Sequence, residues 1–132
     1  MKSIYIFPKE EKLCGKNNIN LLYENGKRFT CFPLRITYTI FSFVDNPCLK
    51  ILIWAPKSLF RRANQRNHLK RLIREAFRLN APLIRDYVNA NRLQINIAYN
   101  YIAKEQLSFT QVNKAVQKSI ARIINENAAN NT

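Results

Sequence analysis

Eight cations crowd the middle of this chain. Lys57, Arg61, Arg62, Arg66, Lys70, Arg71, Arg74 and Arg78 fall within 22 residues against one acid, Glu75, and supply +7 of the formal net charge of +14. So dense a set suits the binding of closely spaced anions, and arginine's planar fork can pair two phosphate oxygens at once. A phosphate polymer offers such anions more densely than other cellular partners do. Other reactive groups are sparse. His68 is the only histidine, which excludes a His-based metal site and leaves any Ser-His or Cys-His pair dependent on it alone. Its basic surroundings suit phosphate contact or exposure better than general-base work. Cys14, Cys31 and Cys48 are odd in number and lie 17 residues apart. A disulfide framework cannot use all three, and zinc needs closer ligand pairs, so they read as free thiols of a reducing cytoplasm. The acids Glu10, Glu11, Glu24, Asp45, Glu75, Asp86, Glu105 and Glu126 are scattered, with no cluster that would hold two metals.

The cations need an element to carry them, and the spacing supplies one. Leu69, Leu72, Ile73, Ala76 and Phe77 recur at helical intervals on one face. Asn67, Lys70, Arg71, Arg74 and Arg78 occupy the opposite face, so one side of the helix can be buried while the other forms a cationic rail. Glu75 stands at helical spacing from Arg71 and Arg78, which predicts an ion pair. This helix is expected from about Ala63 to Asn80, with Pro82 closing it and a short helical turn around residues 83–88.

Around it the chain reads as α/β. Asn17 or Asn18 is expected to cap a first helix carrying Ile19, Leu22 and Tyr23, ended by Gly26. Leu34 to Phe43 alternates as a strand, Asp45-Asn46-Pro47 forms a turn, and Lys50 to Ala55 is a buried strand that Pro56 ends. Leu93 to Tyr99 alternates again. Ser108 and Gln111 have capping-box spacing ahead of a last helix striped by Phe109, Val112, Val116, Ile120 and Ile123. Gly26 to Pro33 has room for one more edge strand. The strands at 50–55 and 93–99 with the basic helix between them make a β-α-β unit, its strands plausible parallel neighbours.

At 132 residues the chain suits one domain, residues 1–132, with 1–8 and 126–132 expected to be flexible and the Asn- and Ala-rich tail from Asn125 expected to fray. A hydrophobic fraction of 47 % is too high for a disordered basic tail. Ile51 to Ala55 is far too short to cross a bilayer, Ile4 to Phe7 too short for a signal segment, and neither end carries a lipidation motif.

Ala55-Pro56-Lys57, then Arg61-Arg62-Ala63, then the run RNHLKRLIREAFR from Arg66 to Arg78, resembles the signature of the bacterial ribonuclease P protein subunit. Phe7-Pro8-Lys9, Leu13-Cys14 and the Ile19…Tyr23…Gly26 helix resemble that family's N-terminal segment, and Ile95-Asn96-Ile97-Ala98 its last strand. The resemblance implies an α+β sandwich of α-β-β-β-α-β-α order with a left-handed crossover, similar to the ribosomal protein S5 domain 2-like fold. It implies an RNA-binding subunit that assists a catalytic RNA in removing the 5′ leader from precursor tRNA. The holoenzyme is an endoribonuclease whose Mg2+-dependent chemistry belongs to the RNA, with no catalytic residue and no metal or cofactor site in the protein. Arg61, Arg62, Arg66, Asn67, Lys70, Arg71, Arg74 and Arg78 would contact the RNA subunit. Ile19, Tyr23, Tyr38 and Lys57 would line a cleft for the single-stranded leader, where an aromatic face tolerates any base and lysine neutralises the backbone. The implied protein is a cytoplasmic monomer bound one to one with RNA, with no membrane partner.

Three positions depart from the family pattern. His68 replaces an arginine and lowers the charge at neutral pH. Ile19 replaces a common aromatic. Tyr99 stands where arginine is frequent, so that either stacking substitutes there or the leader site is weaker. Two rival classes remain: a structural RNA-binding protein of ribosomal type with no role in cleavage, and a self-sufficient nuclease, which the dispersed acids and single histidine disfavour.

Overall fold

Alternating side chains decide which sheet face each helix covers. The computed structural model describes residues 15–130, in the order α1 (Lys16–Asn25), β1 (Lys27–Cys31), β2 (Leu34–Phe41), β3 (Cys48–Trp54), α2 (Ala63–Asn91), β4 (Gln94–Tyr101) and α3 (Phe109–Asn130). The segments 7–9 and 13–14 named above lie outside the described residues. The strands form one sheet in the order β1-β2-β4-β3. β1 and β2 pair antiparallel through a turn at Phe32-Pro33, whose peptide bond is cis; β2 pairs antiparallel with β4; and β3 runs parallel to β4, with Leu52 opposite Ala98. The expected β-α-β unit and the extra edge strand are both present.

One sheet face carries Leu34, Ile36 and Tyr38 of β2, Leu49 and Ile51 of β3, and Ile95, Ile97, Tyr99 and Tyr101 of β4. α2 and α3 close over these residues with Leu69, Ile73, Phe77, Ile84 and Val88 from α2 and Val112, Val116, Ile120 and Ile123 from α3. The other face is covered in part by α1, which sets Leu22 on Ala98 beside Ile19, Tyr23 and Leu52. β4 is central and sandwiched, so it is buried on both faces, as the strand of a parallel pair usually is.

Local chemistry departs from expectation at both helices that frame the site. α1 is capped by Gly15, at φ 94°, with no side-chain cap, and Asn17 and Asn18 lie inside the helix. Glycine reaches that backbone conformation freely, so the turn into the helix forms at Gly15 ahead of either asparagine. Gly26 ends α1 as expected, its N–H donating to Leu22 O at 2.8 Å. There its small size matters: a Cβ would sit 2.5 Å from Leu22 O and 2.6 Å from Thr37 Cγ2.

α2 does not stop at Pro82. It continues to Asn91 as one 29-residue helix, absorbing the short turn expected at 83–88. Proline removes one backbone hydrogen bond. The buried stripe, however, passes through it as Ala81, Ile84 and Val88, and α3 adds hydrogen bonds from Asn80 Nδ2 to Asn113 Oδ1 at 2.9 Å and from Asn127 Nδ2 to Tyr87 Oη at 2.7 Å. Burial on both sides of the proline outweighs the missing bond. Arg92, in the left-handed region, then turns the chain into β4. The capping box forms as read: Gln111 N–H donates to Ser108 Oγ at 3.3 Å and Ser108 N–H to Gln111 Oε1 at 3.1 Å. α3 remains helical to Asn130, with Asn127 buried under it. Among the described residues no helix is long and apolar enough to cross a membrane.

Candidate nucleic-acid interface

With Leu69, Ile73, Ala76 and Phe77 sealed against the sheet, α2 must turn its other face outward. Asn67, His68, Arg71 and Arg74 are exposed there, as are Lys57, Arg61 and Arg62 in the connector that leads from β3 into the helix. The predicted rail therefore exists, but its cations differ in how free they are. Arg66 donates to Phe60 O at 2.8 Å and to Arg61 O at 2.9 Å. Its guanidinium clasps the connector and fixes where Arg61 and Arg62 stand. Arg78 is held by Glu75, Nε to Oε2 at 3.0 Å, the ion pair read from the spacing. Lys70 lies over the Trp54 ring, its Nζ 5.9 Å from the centroid.

The α1 side of the sheet meets this rail at the end of β3. Tyr23 Oη donates to Asn100 Oδ1 at 3.1 Å, and Arg28 donates to Tyr23 O at 2.5 Å. Beside them is a depression of about 360 Å³ lined by Tyr23, Arg28, Thr30, Arg35, Thr37 and Asn100. Ile19 and Tyr23 lie on this side as expected, and Lys57 is exposed just past the end of β3.

Tyr38 does not join them. It is 3 % exposed on the opposite face, edge-on to Phe29, with its hydroxyl bonded to Glu126 of α3. Burial, the Glu126 hydrogen bond and that carboxylate's charge all push its phenol well above the usual range. The Arg122 and Tyr38 hydrogen bonds hold the Glu126 carboxyl below its ordinary value. Strand parity explains the miss: Thr37, one residue earlier, faces α1, so Tyr38 must face the core. Tyr99 is likewise sealed from any ligand, its Oη 3.0 Å from Ser119 Oγ, and burial raises its phenol pKa. Its expected stacking role falls away.

The sequence reading missed Trp54, Arg28, Arg35 and Asn100. Arg35 and Thr37 share one parity on β2 opposite the apolar set, a signal that was available. Cys31 and Cys48 are free thiols, and burial raises that of Cys31. Among the described residues no group of three or more His, Cys, Asp or Glu side chains is placed to hold a metal ion.

Fold and site together define a class: a single α+β domain whose crossover helix is anchored along one face and presents arginines along the other. Within that class the assignment is specific, because residues 7–124 match the Ribonuclease P family model and the chain belongs to that family. The ribonuclease P protein component of Porphyromonas gingivalis is 37 % identical over 115 residues, 87 % of this chain and 84 % of that one. That of Legionella pneumophila is 30 % identical over 84 residues, 61 % of this chain and 69 % of its own. Among solved structures, the RNase P protein from Thermotoga maritima superposes with a TM-score of 0.63 at 21 % identity, covering 85 % of this chain and 96 % of its own. The Staphylococcus aureus RNase P protein gives 0.60 at 18 %, covering 87 % and 95 %. At these identities the structures establish the fold.

Proposed function

We propose that this protein is the RNA-binding subunit of a ribonuclease P ribonucleoprotein and assists its catalytic RNA in removing the 5′ leader from precursor tRNA. The observation that carries the reading is the exposed pair Arg71 and Arg74 on the face of α2 opposite its buried stripe, with the nearby Glu75 paired to Arg78. In this reading Arg61, Arg62, Asn67, Lys70, Arg71 and Arg74 bind the RNA subunit, and Arg66 and Arg78 support that surface through Phe60, Arg61 and Glu75. The leader lies along the α1 side of the sheet, against Ile19, Tyr23 and Lys57. Phosphate contacts of this kind position RNA without reading sequence.

Chemistry is assigned to the RNA and its Mg2+ ions; the protein's part is to hold the substrate and screen phosphate repulsion. One protein bound to one RNA in the cytoplasm completes the proposal. Precursor-tRNA cleavage at modest magnesium, measured with protein alone, RNA subunit alone and both, tests it. Cleavage should be fastest with both and absent with protein alone. Cleavage by the protein alone, or no gain on mixing, would overturn the reading.

A further inference from the structure

Trp54 is the last residue of β3, an edge strand, and shares the parity of Leu52, which packs beneath α1. It is nevertheless 52 % exposed. A half-exposed indole leaves roughly 100 Å² of ring in water, and no packing need of the fold explains it. Its surroundings are organised. Lys70 sits over the ring from α2, and a cation held on a tryptophan face restrains the indole. Asn100 is its register partner across the parallel pair, and Asn100 in turn accepts the Tyr23 hydroxyl. Tyr23, Asn100 and Trp54 therefore form a row of ring, amide and ring across adjacent elements, ending at the rail.

We propose that Trp54 is a stacking platform for one base of single-stranded RNA, on the ring face that Lys70 leaves open, with Asn100 offering a hydrogen bond to the base edge. This rests on the reading that the protein binds the leader, and it adds the residue that fixes where the leader meets the basic helix. α1 contributes one ring, Tyr23, because Ile19 is aliphatic; Trp54 supplies a second from β3. An indole face accepts every base, but the larger purine ring stacks over more of it, so a purine at the contacted nucleotide should bind more tightly.

Trp54 is the only tryptophan in the chain, so indole emission reports on this residue alone. The holoenzyme, reconstituted with its RNA subunit, is titrated with precursor tRNA carrying a leader of about five nucleotides, and with the same tRNA carrying a single-nucleotide leader. The longer leader should quench the emission and the shorter one should not. Trp54→Ala should weaken the long-leader substrate about tenfold while leaving the short-leader substrate and RNA-subunit binding unchanged, and Trp54→Phe should retain most of the affinity. Saturated binding of the long leader with unchanged emission would overturn the proposal. So would an equal loss for both substrates in Trp54→Ala, or an emission that depends on protein concentration without RNA, which marks a self-association patch. A leader preference that survives in Trp54→Ala removes only Trp54's role; a wild-type holoenzyme with no leader preference removes the underlying reading.

Discussion

Substituting single cations along α2 and following RNA-subunit binding against salt separates the free charges from the occupied ones. Each phosphate neutralised contributes about −0.7 to −0.9 to the slope of log affinity against log salt, the lower figure for single strands. On the RNA-subunit surface Arg61, Arg62, Lys70, Arg71 and Arg74 are available for phosphate, whereas Arg66 is engaged by two carbonyls and Arg78 by Glu75. Those five predict a wild-type slope of about −3.5 to −4.5. Arg71→Ala or Arg74→Ala should each flatten it by about 0.7 to 0.9, and the double variant by about twice that. Arg78→Ala should change it by less than half as much. Arg66→Ala should lower affinity by a similar factor at every salt concentration, because it frees the connector without removing a phosphate contact. Binding of a labelled RNA subunit, measured across monovalent salt at fixed magnesium, gives all six slopes. A wild-type slope shallower than about −2, or an Arg78→Ala slope flattened as much as that of Arg74→Ala, would refute the division into free and occupied charges.

Three further outcomes follow from the packing. Gly26→Ala places a methyl against Leu22 O and Thr37 Cγ2, and should cost about 1–3 kcal/mol in urea unfolding, the usual range for overpacking, while loosening α1 from the sheet. Pro82→Ala restores a helical N–H in a segment already held on both sides; it should raise the thermal midpoint, with a gain of about 1–2 kcal/mol, below the full intrinsic difference of about 3. Glu126 has a depressed carboxyl pKa in the fold, so its contribution is complete above the unfolded value of about 4.3 and is lost as pH falls through the lower folded value. Glu126→Gln should therefore show a shallower fall in urea midpoint than wild type below about pH 5.

The sequence carried the elements better than it carried their faces. Periodicity was sufficient for α2 because Leu69, Ile73 and Phe77 sit at intervals that only a helix brings together, and the same intervals placed Arg71 and Arg74 outside. It failed at Pro82 because the local rule counts one lost hydrogen bond and cannot count the burial of Ile84 and Val88. On β2, Tyr38 shares the apolar parity of Leu34 and Ile36, which was legible as the core face; that α1 covers the opposite parity is shown by the packing of Leu22 on Ala98. Trp54 was hidden in the run Ile51 to Ala55, which reads as buried on both faces, whereas an edge position leaves its last ring in solvent. Arg66 was indistinguishable from Arg71 because its partners are backbone carbonyls, which have no signature in the residue pattern.

The uninterrupted length of α2 has a mechanical consequence. At 1.5 Å per residue its 29 residues form a rod about 43 Å long. In the proposed assembly its basic end meets a large polyanion, while its middle and far end are tied to α3 at Asn80–Asn113 and Tyr87–Asn127. Because Leu69, Ile73 and Phe77 seat the basic end on the sheet as well, the rod cannot pivot at these ties, and its two ends shift as one body. In the proposed assembly, the α3 ties and the sheet together set the angle at which Arg71 and Arg74 meet the RNA.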